Sequence, residues 1–290
     1  VSAAQASSWQ AATEAGNGVS LASVAMYVTP PPLAAANAEL WAFLRGELAA
    51  AGLAGLPEAL DTDIAHDEAW LQLNLLLAQA CGYSYVKTLR GRVRLVATPV
   101  YSHPGCDGPS MRSFIIVSRE NAAGSLADLR GSIAAINSPD SNSGSNLFRA
   151  SVAPLAENGR FFAGVIETGS HGASIDAVSQ GRADCAAIDC ITFGNIQRFD
   201  PQRLAGVRVL AETVSGPGLP FITAGNASDE QVTLLRQALA AAIAEPSLAA
   251  VRDTLGLVRF EVLSDEDYEP LLRLADEAIA GGYNEFGAWM

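Results

Sequence analysis

The sequence predicts a two-lobed α/β protein, and three observations predict it. Strand-like and helix-like segments alternate along most of the 290 residues, and such alternation builds strand layers covered by helices. Residues 126–188 hold a compact βαβαβ unit, and residues 21–98 hold a second α/β unit. The helices after Ser228 find no third sheet to pack on, so the chain is expected to cross from one lobe to the other and return. The crossings, two hinges, are placed near 110–117 and 210–217. Residues 1–20 are expected to be a flexible tail. Residues 21–112 with 214–290 form one lobe and 113–213 an inserted second lobe, each a mostly parallel sheet flanked by helices.

From the N-terminal end, residues 21–28 (LASVAMYV) read as a buried first strand. Pro30, Pro31 and Pro32 then open a helix, because proline is tolerated in the first turn. Leu40, Trp41, Leu44 and Leu48 carry it to Gly52 at helical spacing. Residues 67–80 read as a second helix ending at Cys81, and 92–98 as an alternating strand. A Pro/Gly loop covers 102–109. Strands come next at 113–117, 133–136, 164–167, 183–188, 207–210 and 220–224. Helices are expected at about 146–156, up to Gly181, at 228–244 and at 264–280, with a shorter one before the last.

Hydrophobic residues make up 49% of the chain, enough for each lobe to bury its own core. The formal net charge of −13 repels phosphate backbones and anionic lipid, so nucleic acid is not an expected partner. A local cluster of backbone N–H groups can still hold an anion inside an acidic protein. No run approaches the ~18 apolar residues of a membrane span. The first 20 residues show neither the basic end nor the apolar core of a signal peptide. Four cysteines, Cys81, Cys106, Cys185 and Cys190, are too sparse to decide the redox compartment, and none form a CxxC pair.

Three strand-to-helix junctions carry the chemistry. The first is SPDSNSGSN, residues 138–146. Small polar residues there leave N–H groups open at a helix start; Ser141, Asn142, Ser143 and Ser145 add side-chain donors, and Gly144 allows close approach. This is the chemistry of oxyanion capture, although the same residues serve an ordinary N-cap. The second junction places Ser170 and His171 at another helix start, where His171 either donates to an anion or lies at the surface beside a cap. The third ends a strand in Asp189, which either meets an amine or hydroxyl of a ligand or caps the next segment of chain. Ligands of open α/β sheets bind beyond the carboxyl ends of strands, so these junctions support one another. Tyr27 is expected at the end of the first strand, walling a pocket or packing. Arg112 and Ser113 stand at a crossing, where Arg112 pairs with an anion or with a protein acid. Ser143, His171 and Asp189 lack the GxSxG elbow of a hydrolase triad. His103, Cys106 and Asp107 are too few for a metal site, and neither metal nor cofactor is expected.

The runs SLADLRGSIAAINSPDSNSGSN, GSHGASIDAVSQGRADCAAID and VLAETVSGPGLPFI resemble the substrate-binding proteins of phosphate, phosphite and phosphonate ABC transporters, in a divergent subgroup. The resemblance covers about residues 21–283 and is strongest over 112–222. It implies the type II periplasmic-binding-protein fold, with an oxyanion held by Ser141, Asn142, Ser143 and His171, Asp189 on the rest of the ligand, and Tyr27 lining the other lobe. The family typically has threonine where Asn142 stands. The resemblance further implies a monomeric solute receptor, closing on a small, anionic ligand held at helix N-termini and docking on an ABC permease. It implies a periplasmic location; the absence of a visible signal peptide leaves a cytoplasmic one open. Two other readings stand beside it: an enzyme on the same fold, similar to thiamine-pyrimidine synthases, with Cys81 or a histidine in the cleft, or a ligand-sensing module.

Overall fold

A computed structural model describes residues 18–284 and 286–289. The expected tail at 1–20 lies outside the described residues as far as residue 17. Val19 and Ser20 are tied down: the Asn74 side-chain amide donates to the Val19 carbonyl, and the Ser20 N–H donates to the Gly55 carbonyl.

The strands are β1 (Leu21–Ser23), β2 (Leu75–Gln79), β3 (Val93–Tyr101), β4 (Cys106–Asp107), β5 (Ser110–Met111), β6 (Ser113–Ser118), β7 (Ile133–Ile136), β8 (Gly164–Glu167), β9 (Cys185–Asp189), β10 (Val207–Glu212), β11 (Gly216–Pro217), β12 (Phe221–Ala224), β13 (Leu257–Glu261) and β14 (Ala288–Trp289). The principal helices are α1 (Pro32–Ala50), α2 (Leu147–Val152), α3 (His171–Ser179), α4 (Cys190–Phe199), α5 (Asp229–Ala244), α6 (Ala249–Leu255) and α7 (Asp265–Ala280). Among the described residues no single helix is long and apolar enough to cross a membrane.

The described residues form two compact units. The first takes the chain up to Cys81, Lys87–Ser102 and Gly218–Asp265; the second takes Gly82–Val86, His103–Pro217 and the chain from Glu266 onward. These bounds differ from the expected lobes at 82–86, 103–112, 214–217 and 266–289. Packing explains the difference. Tyr268 of α7 meets Tyr85 edge-on with ring centroids 5.2 Å apart, and both rings are buried. The Leu271 carbonyl accepts from the Asn146 amide, and the Leu271 side chain lies where a Cβ on Gly216 would fall. Tyr283 and Phe286 join the core of the second unit. The last helix and tail thus belong with β6–β10.

The first unit is built on a five-stranded sheet in the order β1-β2-β12-β3-β13. Only β1 and β2 run parallel; β12 is antiparallel to β2 and β3, and β13 is antiparallel to β3. The expectation of a mostly parallel sheet does not hold for this unit, because β12 and β13 come from the returning chain. Helix α1 buries Leu33, Ala36, Leu40, Trp41, Leu44 and Leu48, the spacing of one apolar stripe. It ends where Gly52 takes a positive φ of 86° and Leu53 N–H reaches back to the Leu48 carbonyl, a left-handed stop that glycine adopts without strain. The first strand is shorter than expected: it stops at Ser23, and Ala25–Tyr27 turns into a 3-10 helix. The expected helix over 67–80 is instead a short turn, His66–Ala69, followed by β2. A continuous apolar run such as Leu75–Ala78 is buried on all sides in a central strand as readily as in a helix.

The second unit carries a six-stranded mixed sheet, β10-β6-β9-β7-β8-β14, and a small antiparallel ribbon, β11-β5-β4. Strands β7, β8 and β9 are mutually parallel, as the βαβαβ reading requires. β6 is antiparallel to β9, and β10 to β6. Ile115, Val117, Ile136, Phe148, Phe161, Phe162 and Val165 fill its core.

Candidate functional site

Because β7, β8 and β9 are parallel, their carboxyl ends at Ile136, Glu167 and Asp189 open onto one rim. β6 runs the other way and pairs Ser113 with Asp189, which brings its first residue to the same rim. The three junctions read from sequence meet there.

The loop after β7 enters a π turn, Asn142–Asn146, that continues into α2. Ser141 caps it, its hydroxyl oxygen accepting from Gly144 N–H at 3.1 Å. Ser143 is buried; its Oγ lies 2.9 Å from His171 Nε2. Ser113, fully buried, donates its hydroxyl to the Ser143 carbonyl at 2.9 Å. Gly144 is needed at its position: a Cβ there would lie 1.9 Å from Asn137 Oδ1 and 3.2 Å from His171 Cε1. Asn142 is buried, and its side-chain oxygen accepts from Asn146, whose amide also donates to the Leu271 carbonyl. The first N–H groups of a helix have no partner within it. The turn therefore presents backbone donors, a hydroxyl and an imidazole together.

His171 begins α3, half-buried. Burial lowers its pKa below the ordinary 6.5, opposed by the negative charge of Asp189 and by the Ala187 carbonyl. The ring is uncharged at neutral pH. Nδ1 is buried and has no hydrogen-bond partner among the described residues, while Nε2 meets the Ser143 hydroxyl. Ser170 is exposed and caps α3, its oxygen accepting from Ala173 N–H.

Other expected residues make contacts within the protein. Asp189 is buried and caps α4: Oδ1 accepts from Ile191 N–H at 2.6 Å and Thr192 N–H at 3.0 Å, and Oδ2 from the Thr192 hydroxyl at 3.3 Å. Arg112 pairs with Glu212 at 2.6 Å, both side chains partly exposed. Tyr27 belongs to the first unit, in the 3-10 helix rather than at a strand end, and meets Tyr101 edge-on at 5.7 Å. Cys81 lies just past β2 in the first unit and ends no helix. Burial pushes the Cys185 thiol up to about 12, and hydrogen bonding to Cys106 with burial raises that of Cys190. Neither has the depressed thiol of a nucleophile. Among the described residues no group of three or more His, Cys, Asp or Glu gathers to hold a metal.

One residue escaped the sequence reading, and another was read there only against metal binding. Asn137 sits against Gly144 beside the turn. His103 is buried and lies over Gly194 of α4, where a Cβ would fall 2.4 Å from its Nδ1. Asn137 directly succeeds the strand IAAI, and that position was the available signal. His103 gave none.

Several solved structures share this fold. A binding protein component of an ABC phosphonate transporter from Pseudomonas aeruginosa superposes with a TM-score of 0.69 at 19% identity, covering 84% of this chain and 82% of its own. PhnD1 from Prochlorococcus marinus, in complex with methylphosphonate, gives 0.68 at 16%, covering 82% and 92%. A protein of Xanthomonas citri bound to ATP gives 0.66 at 15%, covering 91% and 97%. No curated protein sequence matches. The sequence model of the ABC transporter phosphonate periplasmic substrate-binding proteins matches residues 65–268, more than half of the chain, and the protein belongs to that family.

Proposed function

We propose that this protein captures a small phosphorus oxyanion of the phosphate, phosphite or phosphonate class at the rim of its second unit. The observation that carries the reading is the Ser143 hydroxyl set 2.9 Å from His171 Nε2 at the start of a helix. A tetrahedral oxyanion there takes hydrogen bonds from the hydroxyl, from the first N–H groups of the turn and from the imidazole. Ser141 and Ser113 hold the turn in shape rather than reaching for the ligand. The family supplies a small-molecule ligand, a membrane permease as partner and a periplasmic place of work. Two proteins of like fold were solved with phosphorus oxyanions, methylphosphonate and ATP, which supports the ligand class for this chain.

The protein acts as a monomeric receptor and not as an enzyme. A hydrolase triad needs a carboxylate on the far side of the imidazole. Here no carboxylate hydrogen-bonds to His171 Nδ1, and Asp189 Oδ1 accepts two backbone N–H groups of α4.

The test is titration calorimetry and thermal shift with phosphate, phosphite, methylphosphonate, 2-aminoethylphosphonate and sulfate. A ligand at about 100 times its dissociation constant adds roughly 2.7 kcal/mol of stability. S143A and H171A each weaken binding about 10- to 100-fold, the range for a hydrogen bond to a charged group, while circular dichroism stays unchanged. Undiminished affinity in both variants, or no response to any phosphorus oxyanion, overturns the proposal.

A further inference from the structure

The geometry points to a disulfide between Cys106 and Cys190, a covalent staple between the β4–β5 ribbon and the start of α4. The two sulfurs lie 3.6 Å apart although the residues are 84 positions apart in sequence. All four cysteines are present as thiols, and a bond requires these two sulfurs to close to ~2.05 Å.

The backbones on both sides are already in place for that closure. Cys106 pairs across the ribbon with Met111, and its N–H donates to the His103 carbonyl. The Cys190 N–H donates to the carbonyl of Arg112, the residue just beyond the ribbon. Gly105 takes a positive φ of 93°, and a Cβ on it would lie 2.7 Å from Cys190 Cβ and 3.2 Å from its Sγ. Only a glycine lets the ribbon lie this close to the Cys190 side chain. The alternatives are poorer. Cys185 is fully buried, with Ser132 Oγ 3.9 Å from its sulfur. Cys81 belongs to the other unit.

The chemistry is thiol–disulfide exchange with a small disulfide oxidant such as oxidised glutathione. Cys106 is half-buried and Cys190 buried, so Cys106 reacts first. Its thiolate attacks the oxidant and releases one small thiolate, leaving a mixed disulfide. The Cys190 thiolate then attacks the Cys106 sulfur and releases the second. Two protein thiols lose their protons and two electrons, and the oxidant leaves as two thiols. The staple fits a protein whose family works in an oxidising compartment, and it does not depend on which solute is bound.

The experiment uses the whole protein, incubated with oxidised glutathione, then denatured and alkylated without reductant and digested for mass spectrometry. Expected are two alkylated cysteines, Cys81 and Cys185, and one cross-linked peptide pair joining Cys106 to Cys190. Reduction is expected to lower the melting temperature by on the order of 5–15 °C. C106S, which removes one partner from its more exposed side, is expected to abolish both the cross-link and the reductant sensitivity. Four alkylated cysteines after oxidant treatment, or a mapped bridge that includes Cys81 or Cys185, overturns the assignment.

Discussion

Replacing Asp189 separates a helix cap from a ligand contact. Its carboxylate accepts from Ile191 N–H, Thr192 N–H and the Thr192 hydroxyl, within a residue only 3% exposed. D189A removes the cap, worth ~0.5–2 kcal/mol, and leaves buried donors unsatisfied at ~1–3 kcal/mol. Together the loss is about 2–4 kcal/mol, since the two figures overlap. At ~2–4 °C per kcal/mol for a chain of this size, the melting temperature falls by roughly 5–15 °C. D189N keeps an oxygen in the capping position and stays within about 1 kcal/mol of the parent, since asparagine caps as well as aspartate. It does lose the negative charge that raises the pKa of both His171 and His103. Both imidazoles then titrate at lower pH, which NMR of the ring protons reads directly. Affinity for methylphosphonate and for 2-aminoethylphosphonate stays within about twofold in D189N, a few tenths of a kcal/mol. The reasoning is refuted if D189A melts with the parent, or if D189N selectively loses the amine-bearing ligand, because Asp189 would then be touching the solute.

Two further outcomes concern the same rim. Burial lowers the folded pKa of both His171 and His103 below 6.5, so the unfolded chain binds protons first. Their contribution to stability is complete above that value and is lost as pH falls from there through the folded values. Thermal midpoints between about pH 8 and pH 5 should show a decline that is shallower in H171N; an equal slope would exonerate His171. A bound oxyanion favours the charged ring, so affinity should rise as pH falls over the same window. G144A forces Asn137 and His171 apart at the turn. It should cost about 1–3 kcal/mol as an overpacked site and weaken oxyanion binding with it, and unchanged melting and affinity would show the turn to be slack.

Elements whose apolar residues recur at a clean period were legible. α1 is one: Leu33, Ala36, Leu40, Leu44 and Leu48 mark a stripe that nothing else explains. β7, β8 and β9 were legible because short apolar runs alternated with capped helices in a single compact stretch. β2 was not, since Leu75, Leu76, Leu77 and Ala78 are all buried and show no period. β13 was missed because Val258 and Arg259 are exposed on a short edge strand, and little apolar signal remains. At the rim, residue identity announced the place but not the job. Ser170 and Asp189 have the composition of ligand donors and also of caps, and the capping role became visible only with the positions of Ala173, Ile191 and Thr192 N–H. Arg112 likewise could not be assigned until Glu212 lay beside it.

The division of the chain between its two units bears on how it comes off the ribosome. The sheet of the first unit has β12 at its centre, flanked by β2 and β3, so the strands made first wait for a segment made more than a hundred positions later. The second unit waits longer still, because Tyr283 and Phe286 close a core founded on Ile115 and Ile136. The first unit has all its strands once Leu257–Glu261 is made, whereas the core of the second is incomplete until Tyr283 and Phe286 follow.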